Sequence, residues 1–418
     1  MADDCPDIGG PTASRIDPPR IQQLITVYRD GLLEDTLPFW LRHAVDDRWG
    51  GYFSALDRQG QVIDTDKAIW IQGRFAWLLS TLYMQVETRP SWLQVARSGI
   101  DFLLKHGFDR DGRMFFQVTR EGRPLRKRRY VFSEMFTVMA LAAYAQAAED
   151  QTLARRAERL FQETTRLLTT PGALAPKVDP QTRAARSFGV PMILLNTAQV
   201  LRETLGSSQA EEWIEWSIDR IRRDHLNETY QAVLELSGPE GELIDHYDGR
   251  TLNPGHAIEG AWFILQESRY RGGDDRLTEL GTRMLDWMWR WGWDPEYGGI
   301  LYFRDVRGFP VQEYWHDMKF WWPQNETILA TLLAYCMTGK PRYAQWHTAI
   351  HDWTYRHFPD PEYGEWYGYL HRDGRISSSA KGTMWKGPFH LPRMQLRCWQ
   401  MLENRQDNPR ERHGALPS

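Results

Sequence analysis

Cysteine is scarce in this chain of 418 residues: Cys5, Cys336 and Cys398 are the three present. They are odd in number and far apart, which argues against a disulfide framework or a cysteine zinc cluster. The pattern fits a reducing, cytoplasmic compartment. An excess of one charge is also lacking. Lys and Arg total 51 against 55 Asp and Glu, a net of −4. Nothing in that balance suggests a nucleic-acid or membrane-surface partner. No apolar run approaches the roughly 18 residues that span a bilayer. The opening Met1-Ala2-Asp3-Asp4-Cys5 is acidic and has no apolar core, so it does not read as a signal peptide. There is no phosphate loop ending in Gly-Lys-Ser/Thr, no Gly-x-Gly-x-x-Gly fingerprint and no Gly-x-Ser-x-Gly elbow. No metal spacing is present either. His347 and His351 stand four apart but lack the Glu of a zinc helix, and they read as solvated.

Aromatic residues, by contrast, are abundant: 20 Trp, 17 Tyr and 17 Phe. Most are expected in the core, and a handful in a sugar site, where ring faces cover apolar C–H groups. A turn pattern also recurs. Asp46-Asp47-Arg48-Trp49-Gly50-Gly51-Tyr52 has counterparts in Asp294-Pro295-Glu296-Tyr297-Gly298-Gly299-Ile300 and Asp360-Pro361-Glu362-Tyr363-Gly364. Weaker copies begin at Phe108 and Leu226, and an irregular segment from Pro171 to Arg186 fills the remaining gap. Each copy reads as a small β-hairpin. Six starts at near-constant spacing signal one repeated unit.

Between the hairpins, apolar residues recur at helical spacing in two stretches per unit, from Ile21–His43 to Phe389–Met401, making twelve helices. Pro191, Pro254, Pro323 and Pro388 open four of the helices that follow hairpins. Six two-helix units close naturally into an all-α (α/α)6 barrel, with the helices after the hairpins inside and the hairpins at one mouth. An open superhelical array is the competing arrangement. The barrel is expected to be a single domain over residues 16–403, with residues 1–15 and 404–418 read as frayed tails.

In such a barrel the N-termini of the inner helices share a mouth. Those termini carry Asn253-Pro254-Gly255-His256-Ala257-Ile258-Glu259, Trp321-Trp322-Pro323-Gln324-Asn325-Glu326 and Trp385-Lys386-Gly387-Pro388-Phe389-His390. Both histidines lie two residues after a proline, so His256 and His390 would meet in one cavity. Imidazole exchanges a proton near neutrality, and a pair on opposite sides of one carbon could invert it. Glu259, three residues after His256, would fix its tautomer. Glu259 and Glu326 read equally as first-turn acids that favour the helix dipole. Trp322 and Trp385 read as core or as site. Arg74, among aromatics, needs either a buried acid or a substrate oxygen. Asn196 is polar within an apolar run and could bond a neighbouring helix.

Six strings resemble the N-acylglucosamine 2-epimerase family, which also includes cellobiose 2-epimerases and mannose isomerases. They are Trp70-Ile71-Gln72-Gly73-Arg74, Phe132-Ser133-Glu134, Val190 to Asn196, Asn253 to Glu259, Trp321 to Glu326 and Lys386 to His390, in that order along the chain. The resemblance runs from about residue 20 to residue 402 and is stronger towards the N-acetylglucosamine branch. It implies an isomerase that interconverts N-acetyl-D-glucosamine and N-acetyl-D-mannosamine, is often a homodimer, and needs no metal or redox cofactor. It implies that His256 and His390 are the acid/base pair and that Arg74 and Glu326 are essential in the site, with Glu259 placed beside them by its helix spacing. Asn196, Trp322, Trp385 and Glu134 are expected at the substrate. ATP is implied as an allosteric activator that is not consumed. Lys177, Arg183 and Arg186 are its candidate contacts, although solvated loop charges explain them equally. Cellobiose epimerisation and aldose–ketose isomerisation are the neighbouring alternatives. A glycoside hydrolase using Asp245 and Glu326, or a binding protein without activity, is more remote.

Overall fold

The computed structural model describes residues 15–128 and 130–407. Most of the two expected tails, residues 1–14 and 408–418, lies outside these described residues. The chain is carried by α1 (residues 18–43), α2 (Ile69–Gln85), α3 (Pro90–His106), α4 (Phe132–Ala147), α5 (Gln151–Thr169) and α6 (Gly189–Leu205). It continues through α7 (Gln209–Arg220), α8 (Pro254–Tyr270), α9 (Asp275–Gly292), α10 (Trp321–Thr338), α11 (Pro341–His357) and α12 (His390–Asp407). The last helix therefore runs past the boundary expected at residue 403.

The even-numbered helices pack on one another in chain order, and each odd-numbered helix packs outside an even one, with α1 on α12. The ring closes between α12 and α2. Gln400 Nε2 donates to Gln85 Oε1 at 3.2 Å, and Trp70 Nε1 donates to the Met384 carbonyl at 2.9 Å. The molecule is thus an (α/α)6 barrel and not an open array.

Composition sorts the two layers. In α4 every residue from Ser133 to Ala145 is buried, as expected for a helix covered all round by apolar and small side chains. In α5 only Leu153, Ala157, Leu160, Phe161, Thr164 and Thr165 are buried, a single stripe at helical spacing. Helix α1 contains a π turn at Gly31–Thr36. Pro38 follows it, has no N–H to donate, and would clash with a carbonyl four residues back in a regular helix. The wider turn absorbs that conflict.

The expected hairpins form in four units, where Ala55–Leu56 pairs with Val62–Asp64, Phe115–Val118 with Pro124–Lys127, Leu226–Asn227 with Ala232–Val233, and Tyr369–Leu370 with Ile376–Ser378. Four of the repeated turns are themselves tight loops. Each is closed by one bridge: Val45 to Tyr52, Phe108 to Met114, Trp293 to Ile300, and Pro359 to Trp366. Four of the eight described strand pairs join neighbouring units, as where Lys67-Ala68 pairs with Gln117-Val118. A shared ionic staple explains the repeated Asp. Asp46 takes Lys67 Nζ at 2.8 Å and Arg120 of the next unit at 2.9 Å. Asp294 takes Lys319 at 2.9 Å and Arg372 at 2.8 Å, and Asp360 takes Lys381 at 3.0 Å and Arg58 at 2.8 Å. Arg58 belongs to the first unit, so the same device that joins successive units also joins the sixth to the first. Gln72 and Gln324 clip these turns to the inner helices, each bonding both backbone groups of one residue, Tyr52 and Ile300 respectively.

His347 and His351 are buried, not solvated as their polarity suggested. Both ring nitrogens face Tyr28 Oη, at 3.2 and 2.8 Å, and His347 Nδ1 donates to the Ile328 carbonyl at 3.1 Å. Burial lowers His347 to about 4 and takes His351 well below its ordinary value. The folded protein therefore holds both rings neutral. Stability should be full above pH 6.5 and fall as the pH drops from there towards 4, by about 3 kcal/mol for His347 alone. Urea denaturation at pH 7 and pH 4.5 checks this. The difference should shrink in His347→Gln, and an equal difference in both proteins would refute it.

Candidate active site

A cavity of about 680 Å³ opens where the first turns of all six inner helices meet. Its polar lining is Arg74, Asn196, His256, Glu259, His390 and Arg393. Its ring side chains include Trp70, Tyr302, Trp315, Phe320, Trp322 and Trp385. The aromatic excess is thus spent at the mouth as well as in the core, and Trp385 is 46% exposed there.

Asn253 explains the start of α8. Its side chain accepts the backbone N–H of His256 at 3.2 Å, a helix cap that sets the imidazole at the mouth. His256 Nδ1 lies 3.1 and 3.2 Å from the two oxygens of Glu235. Burial alone would lower this imidazole, but the adjoining Glu235 carboxylate outweighs burial and raises it above its ordinary value.

His390 is the first residue of α12, and its Nδ1 donates to Glu326 Oε1 at 2.7 Å. That bond leaves Nε2 as a free lone pair in the neutral ring. Burial lowers His390 well below the ordinary value. Glu259 opposes this without offsetting it, and Arg74 and Arg393 push the same way as burial. Both imidazoles face Trp322, with ring centroids 5.1 and 5.7 Å from it, so the two rings lie less than about 11 Å apart.

Arg393 joins the carboxylates. Its Nη2 donates to Glu259 Oε1 at 2.5 Å and to Glu326 Oε1 at 2.8 Å, while Trp262 Nε1 donates to Glu326 Oε2 at 2.7 Å. Glu259, Glu326 and His390 lie close enough to hold a metal ion among the described residues, with ligand atoms within 4.8 Å of one another. The Arg393 guanidinium stands between the two carboxylates and supplies the positive charge that a metal ion would. Arg74 is 7% exposed, stacks against Trp70, Phe136 and Phe389, and has a buried Nε with no hydrogen-bond partner. Burial lowers it to about 9, so it remains a cation at neutral pH.

Several expectations need correction. Glu259 does not orient His256. It pairs with Arg393, and Glu235 is the partner of His256. Glu134 does not line the cavity. Its Oε1 takes Arg113 Nε at 2.6 Å and the Met114 N–H at 3.0 Å, which ties a turn to α4. Lys177, Arg183 and Arg186 each have a separate partner within the protein. Lys177 stands over the Tyr130 ring, Arg183 bonds its own loop at Thr182, and Arg186 pairs with Asp224 at 2.8 Å. Asp245 pairs with Arg250 and Arg307 away from the cavity, so the two carboxylates of the hydrolase reading are not brought together.

Two partners were missed. Arg393 was legible, since it lies three residues after His390 on the same helix face. Glu235 sits in an irregular stretch with no periodicity, and only tertiary folding brings it to His256.

The model of the N-acylglucosamine 2-epimerase (GlcNAc 2-epimerase) family matches residues 51–390. The chain belongs to this family. It is 37% identical to the N-acylglucosamine 2-epimerase of Bos taurus over 92% of this chain and 93% of the bovine one. The Homo sapiens N-acylglucosamine 2-epimerase is 34% identical over 88% of each chain. In structure the chain resembles the cellobiose 2-epimerase of Bacillus thermoamylovorans B4167, with a TM-score of 0.80, 21% identity, and coverage of 92% of this chain and 100% of that one. For this family member, no described helix is long and apolar enough to cross a membrane.

Proposed function

We propose that this epimerase-family chain interconverts N-acetyl-D-glucosamine and N-acetyl-D-mannosamine by moving the proton on C2. One observation carries the mechanism: two imidazoles flank one aromatic platform with opposite protonation preferences. His390 is held below its ordinary proton affinity by burial, with Nε2 free, and His256 is raised above its own by Glu235. In the open-chain sugar, His390 takes the C2 proton from one face and His256 returns one to the other. The reverse reaction exchanges these roles. Arg74, a cation whose buried Nε has no hydrogen-bond partner among the described residues, stabilises the negative charge that develops on the carbonyl oxygen. Glu326 holds the His390 tautomer, Arg393 balances the carboxylates, and Trp322, Trp385 and Asn196 contact the sugar.

Incubating the protein with N-acetylmannosamine in deuterium oxide tests this reading. By NMR, N-acetylglucosamine carrying deuterium at C2 is the expected product. Turnover of cellobiose or mannose in place of the amino sugar would overturn the substrate assignment. We propose further that the chain works in the cytoplasm as a homodimer responsive to ATP, readings supported by the family resemblance. Analytical ultracentrifugation and assays with and without ATP test them.

A further inference from the structure

Glu365 has a backbone conformation that disfavours its side chain. Its φ is +56°, in the left-handed region where most L residues are strained. The matching positions in two other units are glycines, Gly51 at +68° and Gly299 at +75°. Surrounding contacts hold the strained residue in place. Its N–H donates to Asp35 Oδ1 at 2.9 Å, and its carbonyl accepts Lys381 Nζ at 3.1 Å. Its buried carboxylate pairs with Lys386 Nζ, which also donates to the Lys381 carbonyl at 2.9 Å. Burial raises Glu365 and lowers Lys386, as expected of two groups withdrawn from water together.

The same unit departs from the others in a second way. Lys67 and Lys319 precede their inner helices almost directly, which start at Ile69 and Trp321. After Lys381 the chain runs on through residues 382–389 before α12 begins at His390. This added segment places Trp385 at the cavity and the Met384 carbonyl on Trp70. A longer connection needs a second anchor, Lys386, and a buried ammonium needs a counter-charge. The second glycine position supplies it.

We propose that Glu365 is a positioning residue for the reaction: through Lys386 it fixes segment 382–389, and with it Trp385 and His390. The proposal rests on the functional reading above, and its test separates the two. Glu365→Gly, made in the full chain, suits the backbone conformation and removes only the side chain. Hydrogen exchange of segment 382–389 should quicken about tenfold while α2 to α10 keep their protection. The kcat on N-acetylmannosamine should fall about tenfold, with Glu365→Gln intermediate. Lys386→Gln should reproduce the pattern from the other side and stands in if the glycine variant does not fold. Parental exchange, or parental kcat, in the variants would overturn the proposal. If the parent itself turns over no amino sugar, the functional reading fails, and the exchange result alone decides the anchoring.

Discussion

His390→Ala is expected to lower epimerisation by roughly 10²- to 10⁴-fold, the range for removing a positioned acid or base. His256→Ala should do the same. Neither change should unfold the barrel. Glu326 keeps Arg393 and Trp262 as donors when His390 is removed. Asn253 still caps α8 when His256 is removed, because the cap uses the backbone N–H. Steady-state kinetics with a thermal melt check both points. The pH profile carries the same logic. In the direction in which His390 is the base, activity needs His390 neutral and His256 protonated. His390 is held below its ordinary value and His256 above, so the kcat/KM profile should be broader than two ordinary imidazoles would give. It should fall on the acid side as His390 gains a proton and on the alkaline side as His256 loses one. Either alanine variant with close to parental turnover would remove that residue from the mechanism.

Arg393→Met is expected to destabilise the protein by about 3–5 kcal/mol, the range for breaking a buried ion pair from one side. Arg393 is 2% exposed and serves both Glu259 and Glu326. Methionine restores bulk but leaves two carboxylates without their common cation. Turnover should fall as well, because Glu326 also holds His390. Adding Glu259→Gln to the variant should recover part of the stability, since one uncompensated charge is then gone. Urea denaturation of the single and double variants measures this. A single variant within 1 kcal/mol of the parent would show that the buried network is not held by its arginine.

Much of the architecture was legible because it repeats. The Asp-Gly turns marked the units, and helical periodicity between them supplied the paired helices. The run of small and apolar residues Met139 to Tyr144 in α4 marked an inner helix, and the single buried stripe of α5 an outer one. The site was partly legible for the same reason: His256 and His390 occupy equivalent first turns. The partner assignments failed where proximity along a helix was mistaken for contact. Glu259 shares a helix with His256 yet turns to Arg393, four helices further along the chain. Glu134 sits in a motif string yet bonds a turn. His347 and His351 looked polar and exposed, but Tyr28 satisfies both rings inside the core.

By itself the sequence determined the helices, their order and their inward faces, because these follow from local periodicity. Of the prolines expected to open inner helices, Pro254 does so, while α6 and α10 begin two residues before Pro191 and Pro323 and α12 begins two residues after Pro388. Closure of the ring, the pairing of each histidine with its carboxylate and the opposed proton affinities of the two imidazoles were decided only by the tertiary structure. Those properties depend on burial and on charges brought together from distant units, such as Glu235 beside His256 and Glu326 beside His390, and no local rule of the chain specifies them.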